Sequence, residues 1–260
     1  MTLAFAGGSS VIPTLQTNLA AVRLAIDRAA LRSGRRGADV DLVAVTKSVE
    51  PEVAAELVRL GQLDLGESRS AELERKDRAL RGAGLAPRWH FLGHLQGNKV
   101  RRVVAIAASI HSIDSLRLLD AVDRAAGELG THPEIWIQVK LSSESTKTGL
   151  DRRELDAMLD RTSVLPNVRL AGLMTLAPLG AVASPAETEA SARSVFRELS
   201  DLADDLANRA GMRDALRPRR VRTSMGMSSD FEWAVEEGSD LVRIGSRLFE
   251  GCDTMRRTAP

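Results

Sequence analysis

The stretch Asp41–Glu67 reads DLVAVTKSVEPEVAAELVRLGQLDLGE and decides the fold, because it predicts a strand, a helix and a second strand in succession. Leu42–Thr46 is a short apolar run typical of a buried strand, and Asp64–Gly66 is the second candidate. Between them, Pro51 suits the first turn of a helix and Gly61 is a stop signal. This order predicts two parallel strands joined by a covering helix.

The same unit recurs along the rest of the chain. The further strand candidates are Trp89–Leu92, Ser109–Ile113, Ile135–Leu141, Leu170–Leu176, Arg220–Met225 and Leu241–Ile244. Eight units in about 250 residues predict an α/β fold of the single (β/α)₈ TIM-type barrel kind. The alternative, a doubly wound open sheet, often carries a glycine-rich phosphate fingerprint after its first strand, where this chain has TKSVEP.

A helix precedes the first strand, since Leu15, Leu19, Val22, Ile26 and Ala29 repeat at helical spacing. It is predicted as an extra N-terminal element on the barrel. No Pro- or Ser-rich linker, low-complexity tract or composition shift divides the chain. Residues 1–260 are therefore expected to form one domain, with no second domain.

The composition limits the class of protein. Lys and Arg total 36 against 35 acidic residues, a net charge of +1, which gives no reason to expect nucleic acid or a membrane surface as a partner. The single cysteine, Cys252, excludes an internal disulfide framework and fits a reducing compartment. No signal peptide or bilayer-spanning segment is evident. These features predict a cytoplasmic protein.

Functional groups of such a barrel gather at the C-terminal ends of its strands. The candidates there are Lys47, Glu67, Ser68, His90, His94, Lys140, Met174, Thr175, the segment 224–229, Arg243, Gly245 and Ser246. Lys47 follows the first strand, where a lysine is most simply a solvated cap. Beside apolar walls the same amine is a candidate for forming a Schiff base, because desolvation penalises the ammonium form.

Two turns of small residues follow the last two strands. SMGMSSD (224–230) joins strand seven to a helix, and Gly245 and Ser246 follow strand eight. A glycine-containing turn that leads into a helix offers free N–H groups and the positive end of a dipole, which together bind phosphate. Because phosphate sites recur after strands seven and eight of barrels, the two turns favour a phosphate ligand.

Arg243 lies within the last apolar run, and strand alternation puts it on the same face as Leu241 and Gly245. A buried guanidinium requires an acceptor, either an acidic residue in the barrel or a ring nitrogen of a cofactor. A Schiff-base lysine, a phosphate cradle and an arginine facing a pyridine nitrogen together describe a site for pyridoxal 5′-phosphate (PLP).

A metal site is not expected. His90 and His94 have the spacing of a helical metal pair, but they straddle a strand end and Gly93. No Asp, Glu or Cys beside them completes a ligand set.

Several segments, in order along the chain, carry a family resemblance. They are NLAAVRLAIDRAALRSGR (18–35), LVAVTKSVEPE (42–52), LGES (65–68), WHFLGHLQGNKVR (89–101), IHSIDS (110–115), STKTGL (145–150), GLMTLAP (172–178) and SMGMSSDFEWAVEEGSDLVRIGSRLFEG (224–251). In these segments the chain resembles the pyridoxal phosphate homeostasis proteins. WHFLGHLQGNK and SMGMSSDFEWA are together highly specific.

The resemblance implies a single-domain barrel like the N-terminal domain of alanine racemase, with PLP held as a Schiff base on Lys47. It also implies that Arg243 faces the pyridine nitrogen. The residues implied to hold the phosphate are Ser224, Gly245 and Ser246, and those implied to lie around the cofactor are Met225, Ser228, His90, Met174 and Ser68. The family typically has asparagine at the position of Ser68, and Ser-Lys-Thr is commoner than the present Thr46-Lys47-Ser48.

By the same resemblance, the role is to buffer PLP and deliver it to PLP-requiring apoenzymes, with an indirect effect on amino-acid pools. Racemisation requires two positioned acid–base groups, and in the related racemase the second is a tyrosine from a partner's second domain. This chain has no tyrosine. We therefore expect a monomeric, non-catalytic carrier; the alternatives are a racemase-type enzyme and a scaffold that binds only partner proteins.

Overall fold

The computed structural model describes residues 8–141, 149–178, 184–208 and 221–252. Eight parallel strands close into a barrel in chain order. The strands are β1 (Asp41–Val45), β2 (Asp64–Glu67), β3 (Arg88–Phe91), β4 (Ser109–Ile113), β5 (Glu134–Gln138), β6 (Arg169–Met174), β7 (Arg222–Ser224) and β8 (Leu241–Ile244). The helices within the described ranges are α1 (Gly8–Arg32), α2 (Pro51–Arg59), α3 (Ser70–Gly82), α4 (Val100–Val104), α5 (Leu116–Leu129), α6 (Leu155–Ser163), α7 (Pro185–Asn208) and α8 (Phe231–Glu236).

The predicted fold class, a (β/α)₈ barrel with an extra N-terminal helix, is confirmed. β4 and β8 have the predicted bounds, and the other strands differ from the predicted bounds by one to three residues at an end. Thr46, for example, lies just beyond β1, although its N–H still donates to Gly66 O at 2.9 Å. β7 is shorter than predicted, and Arg220, its predicted start, lies outside the described residues. None of the described helices combines the length and the hydropathy needed to span a bilayer.

Helix α1 packs against α8 and against the short turn that follows β8. Its predicted apolar stripe is buried, with Leu15 and Ala29 at 0% exposure and Ile26 at 3%. On the same helix, Asn18 Nδ2 donates to Leu248 O at 3.1 Å and to Glu250 O at 2.8 Å. The extra helix therefore holds the segment after β8, which carries two of the predicted phosphate residues.

Side-chain alternation divides each strand between two environments. The side chains that face the helices form the larger hydrophobic core. The barrel interior holds a smaller apolar cluster of Val43, Trp136, Ala171, Met174 and Leu241. The interior positions beside this cluster include buried polar side chains, among them His90, His111 and Ser224.

Gly226 permits the turn between β7 and α8. Its φ is +92°, and a Cβ there would lie 2.6 Å from Ala234 Cβ and 3.0 Å from Phe231 Cα. We expect Gly226→Ala to lower the free energy of unfolding in urea by about 2–5 kcal/mol, from left-handed strain and overpacking together. The control is Gly84→Ala, where φ is +74° and the space is open, so that only the strain of about 1–2 kcal/mol applies. Equal losses in the two variants would contradict the close contact.

Candidate functional site

A cavity of about 670 Å³ opens at the C-terminal ends of the strands, within the size range of small-molecule sites. Its apolar walls include Val45, Leu92, Leu176 and Met227. Its polar lining includes Lys47, Ser68, Ser228, Arg243, Gly245 and Ser246, all six of which the sequence predicts. The cavity therefore combines one amine, one buried guanidinium and small hydroxyl and backbone groups.

Lys47 lies two residues beyond the end of β1 and its side chain is exposed to the cavity mouth. Within the described part of the chain, its amine makes neither a hydrogen bond nor an ion pair. The backbone just before it is held firmly, since the fully buried Lys76 of α3 donates from Nζ to Thr46 O at 2.5 Å. A rigid turn thus presents an unengaged amine to the cavity.

The anchor of this turn is a buried ion pair between the barrel and α3. Lys76 Nζ pairs with Glu67 Oε1, and both side chains are 0% exposed. The hydroxyl of Thr46 also donates to Glu67 Oε1, at 2.7 Å. Glu67, which the sequence places at the end of the second strand among the candidate functional groups, therefore faces α3 and supports the turn of Lys47 from behind.

The turns after β7 and β8 meet at one edge of the cavity. Ser228 Oγ accepts a hydrogen bond from Gly245 N at 3.1 Å and from Arg247 N at 3.5 Å. On the other side of the turn, Asp230 Oδ1 accepts from Met227 N at 2.5 Å. One serine hydroxyl therefore ties the two loops together at the position where barrels commonly bind phosphate.

Arg243 lies on β8 and points into the barrel, as alternation predicts. Its Nη1 donates to Ser224 Oγ at 2.6 Å and its Nη2 donates to Thr175 O at 3.0 Å. Burial lowers the pKa of Arg243 to about 10, partly opposed by the charge of Asp230. The guanidinium is therefore still cationic at neutral pH, and it forms part of the cavity lining.

Four predicted cofactor residues do not line the cavity. Ser224 is 0% exposed and is bonded to Arg243, while His90 is 1% exposed inside the barrel. Met225 packs in the outer core and Met174 in the interior cluster. All four belong to strands or follow them directly, but their side chains lie below the cavity or face away from it.

The two histidines of the H-x-x-x-H spacing lie in different environments. The His90 ring is inside the barrel, whereas His94 lies at the surface with its Nδ1 3.5 Å from Asp114 Oδ2. Among the residues that the structure describes, no group of three or more His, Cys, Asp or Glu side chains could hold a metal ion.

Sequence reasoning missed His111, which lies at the centre of the polar interior. It is 0% exposed, and its ring stacks on Trp136 with centroids 5.0 Å apart and planes at 19°. Its position two residues after Ser109 on β4 would have marked it as inward-facing by alternation. The cavity residue Leu176 was also missed, and Met227 was predicted only as part of the segment 224–229, because apolar wall residues have no chemical signature.

A closed (β/α)₈ barrel with an amine and a guanidinium in its C-terminal cavity belongs to the class of small-molecule-binding barrels. The family model for the N-terminal domain of alanine racemase matches residues 18–252. Over 224 residues the chain is 37% identical to the pyridoxal phosphate homeostasis protein of Aquifex aeolicus, covering 86% of this chain and 92% of the relative. Over 242 residues it is 34% identical to the protein of the same description in Escherichia coli, covering 92% and 97%.

Among solved structures, PipY of Synechococcus elongatus with PLP bound is 34% identical, with a TM-score of 0.75, covering 90% of this chain and 99% of that one. The chain therefore belongs to the pyridoxal phosphate homeostasis proteins, within the family defined by the alanine racemase N-terminal domain.

Proposed function

We propose that this protein binds PLP in the C-terminal cavity as a Schiff base on Lys47, and that it serves intracellular PLP homeostasis as a carrier. The observation that carries the proposal is the convergence of Lys47, Arg243 and the tied turns after β7 and β8 on one cavity. The relatives named for PLP homeostasis and the PLP-bound PipY structure support it. Delivery to PLP-requiring apoenzymes, as a monomer in the cytoplasm, is part of the same proposal.

The lining residues fit the three functional groups of this cofactor. Lys47 supplies a primary amine, which condenses with an aldehyde and releases water. Ser228, Gly245 and Ser246 supply the small-residue turn for the phosphate, and a side chain at Gly245 would come within 3.2 Å of Val45 O. Arg243 supplies N–H donors for the ring nitrogen. When bound, PLP would contribute an electrophilic imine and, where catalysis occurs, an electron sink.

Of the predicted serines Ser224 and Ser68, only Ser68 is kept as a contact to the cofactor in this proposal. Ser224 is not assigned to the phosphate, because its hydroxyl already accepts from Arg243 below the cavity. Ser68 lines the cavity and is half-buried, so we retain it as a contact to the cofactor. The side chain of Ser68 is shorter than that of the asparagine that the family typically has at this position.

The lining of the cavity favours a carrier over a racemase-type enzyme. The charged side chains of the described lining are Lys47, Arg243 and Arg247. This lining contains no carboxylate, imidazole or thiol, and the chain has no tyrosine. His90 is not available as a substitute, because both of its ring nitrogens are engaged inside the barrel. A second acid–base group on the face opposite Lys47 is therefore missing from the described lining.

We expect no exchange of amino-acid α-hydrogens in deuterated water above the rate that free PLP gives at the same concentration. The measurement is proton NMR of the common amino acids incubated with PLP-loaded protein. An exchange rate well above free PLP, lost in Lys47→Ala, would overturn the carrier proposal in favour of the racemase-type alternative.

A further inference from the structure

A continuous chain of hydrogen bonds crosses the barrel interior below the cavity. Arg243 Nη1 donates to Ser224 Oγ at 2.6 Å, and Ser224 Oγ lies 3.0 Å from His111 Nδ1. His111 Nε2 lies 3.0 Å from His90 Nδ1, and His90 Nε2 lies 2.8 Å from Asp64 Oδ1. Because Asp64 is the first residue of β2, this interior chain runs from the cavity to the opposite end of the barrel, where the Asp64 side chain is 33% exposed.

The two ends of the interior chain are chemically unequal. A guanidinium has only donors, whereas an ionised carboxylate has only acceptors. Burial tends to raise the pKa of Asp64, but the hydrogen bond from His90 and nearby positive charges outweigh it and leave the pKa below its usual value. Asp64 is therefore ionised near neutral pH, and it must accept the proton on His90 Nε2.

His111, in the middle of the interior chain, is neutral. Burial lowers the pKa of His111 well below its usual value, and the nearby guanidinium of Arg243 adds to this effect. A neutral imidazole has one donor and one acceptor nitrogen. If Nε2 of His111 donates a hydrogen bond to His90, then Nδ1 accepts one from the hydroxyl of Ser224. Ser224, His111 and His90 then each donate one hydrogen bond and accept one along the series.

The opposite order leaves a proton without a partner. In that order Ser224 Oγ would accept from both Arg243 and His111. Its own hydroxyl proton would then have no acceptor within reach among the described residues, and a buried unpaired donor is costly. The donor-only guanidinium at one end of the interior chain and the acceptor-only carboxylate at the other therefore favour the same direction.

The ring of His111 is held in the orientation that this direction needs. It stacks on Trp136, and Trp136 Nε1 donates to Ser109 Oγ at 2.9 Å. Ser109 Oγ in turn lies 3.4 Å from His111 Nε2, a longer contact than the 3.0 Å between His111 Nε2 and His90 Nδ1. Packing and hydrogen bonding thus fix the imidazole before any ligand binds.

Arg243 depends on this support, since no carboxylate in the described part of the chain lies within ion-pair distance of it. Its two direct partners, Ser224 Oγ and Thr175 O, are neutral. Hydrogen bonds in series polarise one another, so an acceptor series that ends on a carboxylate strengthens the bond that Ser224 accepts from the guanidinium.

We propose that Ser224 and His111 are positioning residues, which hold the Arg243 guanidinium at the cavity through a one-way series of hydrogen bonds. The series continues through His90 and ends on the carboxylate of Asp64. Its consequence for the cofactor rests on the proposed function: a guanidinium held from below directs its remaining N–H groups toward the ring nitrogen of PLP.

The proton order is tested by nitrogen-15 NMR of the histidine rings at neutral pH, on protein without and with PLP. We expect His90 and His111 each to carry a proton on Nε2 while Nδ1 of each ring accepts a hydrogen bond, and the variants His90→Gln and His111→Gln assign the signals. A proton on Nδ1 of His111, or a doubly protonated His111 ring, would overturn the one-way order whether or not PLP binds.

The positioning role is tested by the affinity for PLP. We expect Ser224→Ala and His111→Phe each to raise the dissociation constant about tenfold, because each removes a link that supports a charged donor. His111→Gln retains one acceptor and one donor and should lose clearly less. Should His111→Phe not fold, Ser224→Ala, which only deletes a small hydroxyl, decides the question.

The outcomes separate the two proposals. Wild-type affinity in Ser224→Ala, or equal losses in the glutamine and phenylalanine variants of His111, would refute the positioning role while PLP binding stands. Wild-type protein that does not bind PLP, with the expected NMR proton order intact, would refute the proposed function instead.

Discussion

Lys47→Ala is expected to abolish covalent attachment of PLP and to leave the protein colourless. Only a primary amine condenses with the aldehyde, and Lys47 is the lysine that lines the cavity within the described residues. Incubation with PLP followed by borohydride reduction should give near-stoichiometric mass addition in the wild type and only background in the variant. The absorbance of the unreduced protein provides a second measurement of the same loss.

The matched control for this variant is Lys140→Ala. Lys140 follows β5 at the same end of the barrel, is half-buried and is not among the cavity residues. It should label as the wild type does. Full labelling of Lys47→Ala, with labelling lost in Lys140→Ala, would move the site to another lysine and contradict the assignment.

Lys76→Met is expected to cause the largest loss of stability, about 3–5 kcal/mol in the free energy of unfolding. The substitution leaves the carboxylate of Glu67 buried at 0% exposure with its charge unpaired, and removal of one partner of a buried pair typically costs this much. Glu67 Oε2 already has no hydrogen-bond partner among the described residues, which adds to the expected cost. Urea unfolding measures the change.

The double variant Lys76→Met with Glu67→Gln separates loss of the pair from exposure of a lone charge. Because the double variant removes the unpaired carboxylate, it should be clearly more stable than Lys76→Met alone. A double variant that is less stable than Lys76→Met would show that the carboxylate does not depend on Lys76. Lys76→Met should also weaken PLP labelling, since Thr46 O loses the donor that holds the turn of Lys47.

The fold could be predicted from the sequence because its signals are local. Each strand is a short apolar run and each helix shows its own period, so the alternation of the two predicts the barrel without knowledge of long-range contacts. Lys47 and Arg243, both candidates by sequence, line the same cavity. The end of β1 places Lys47, and the alternation of side chains along β8 points Arg243 into the barrel.

The depth of a side chain could not be predicted in the same way. Ser224 and Ser228 both belong to the segment 224–230, and either is a plausible phosphate ligand by sequence. The structure places Ser224 in the layer below the cavity and Ser228 at its edge, because β7 ends at Ser224. Ser224 and His111 are 113 residues apart in the sequence, and no local pattern predicts a contact between them.

The buried pair of Glu67 and Lys76 was missed for a related reason. A lysine on an amphipathic helix is usually a solvated charge, and the sequence of α3 is strongly polar. Only the packing of α3 against β2 brings the amine to a carboxylate and to the backbone carbonyl of Thr46.

The most direct test of a Schiff base on Lys47 is peptide mass spectrometry of the wild-type protein after loading with PLP and reduction with borohydride. We expect the pyridoxyl group on the peptide containing Lys47, at near-stoichiometric yield. Recovery of the label on Lys99, Lys140 or Lys147, the last of which lies outside the described residues, with Lys47 unmodified, would contradict it.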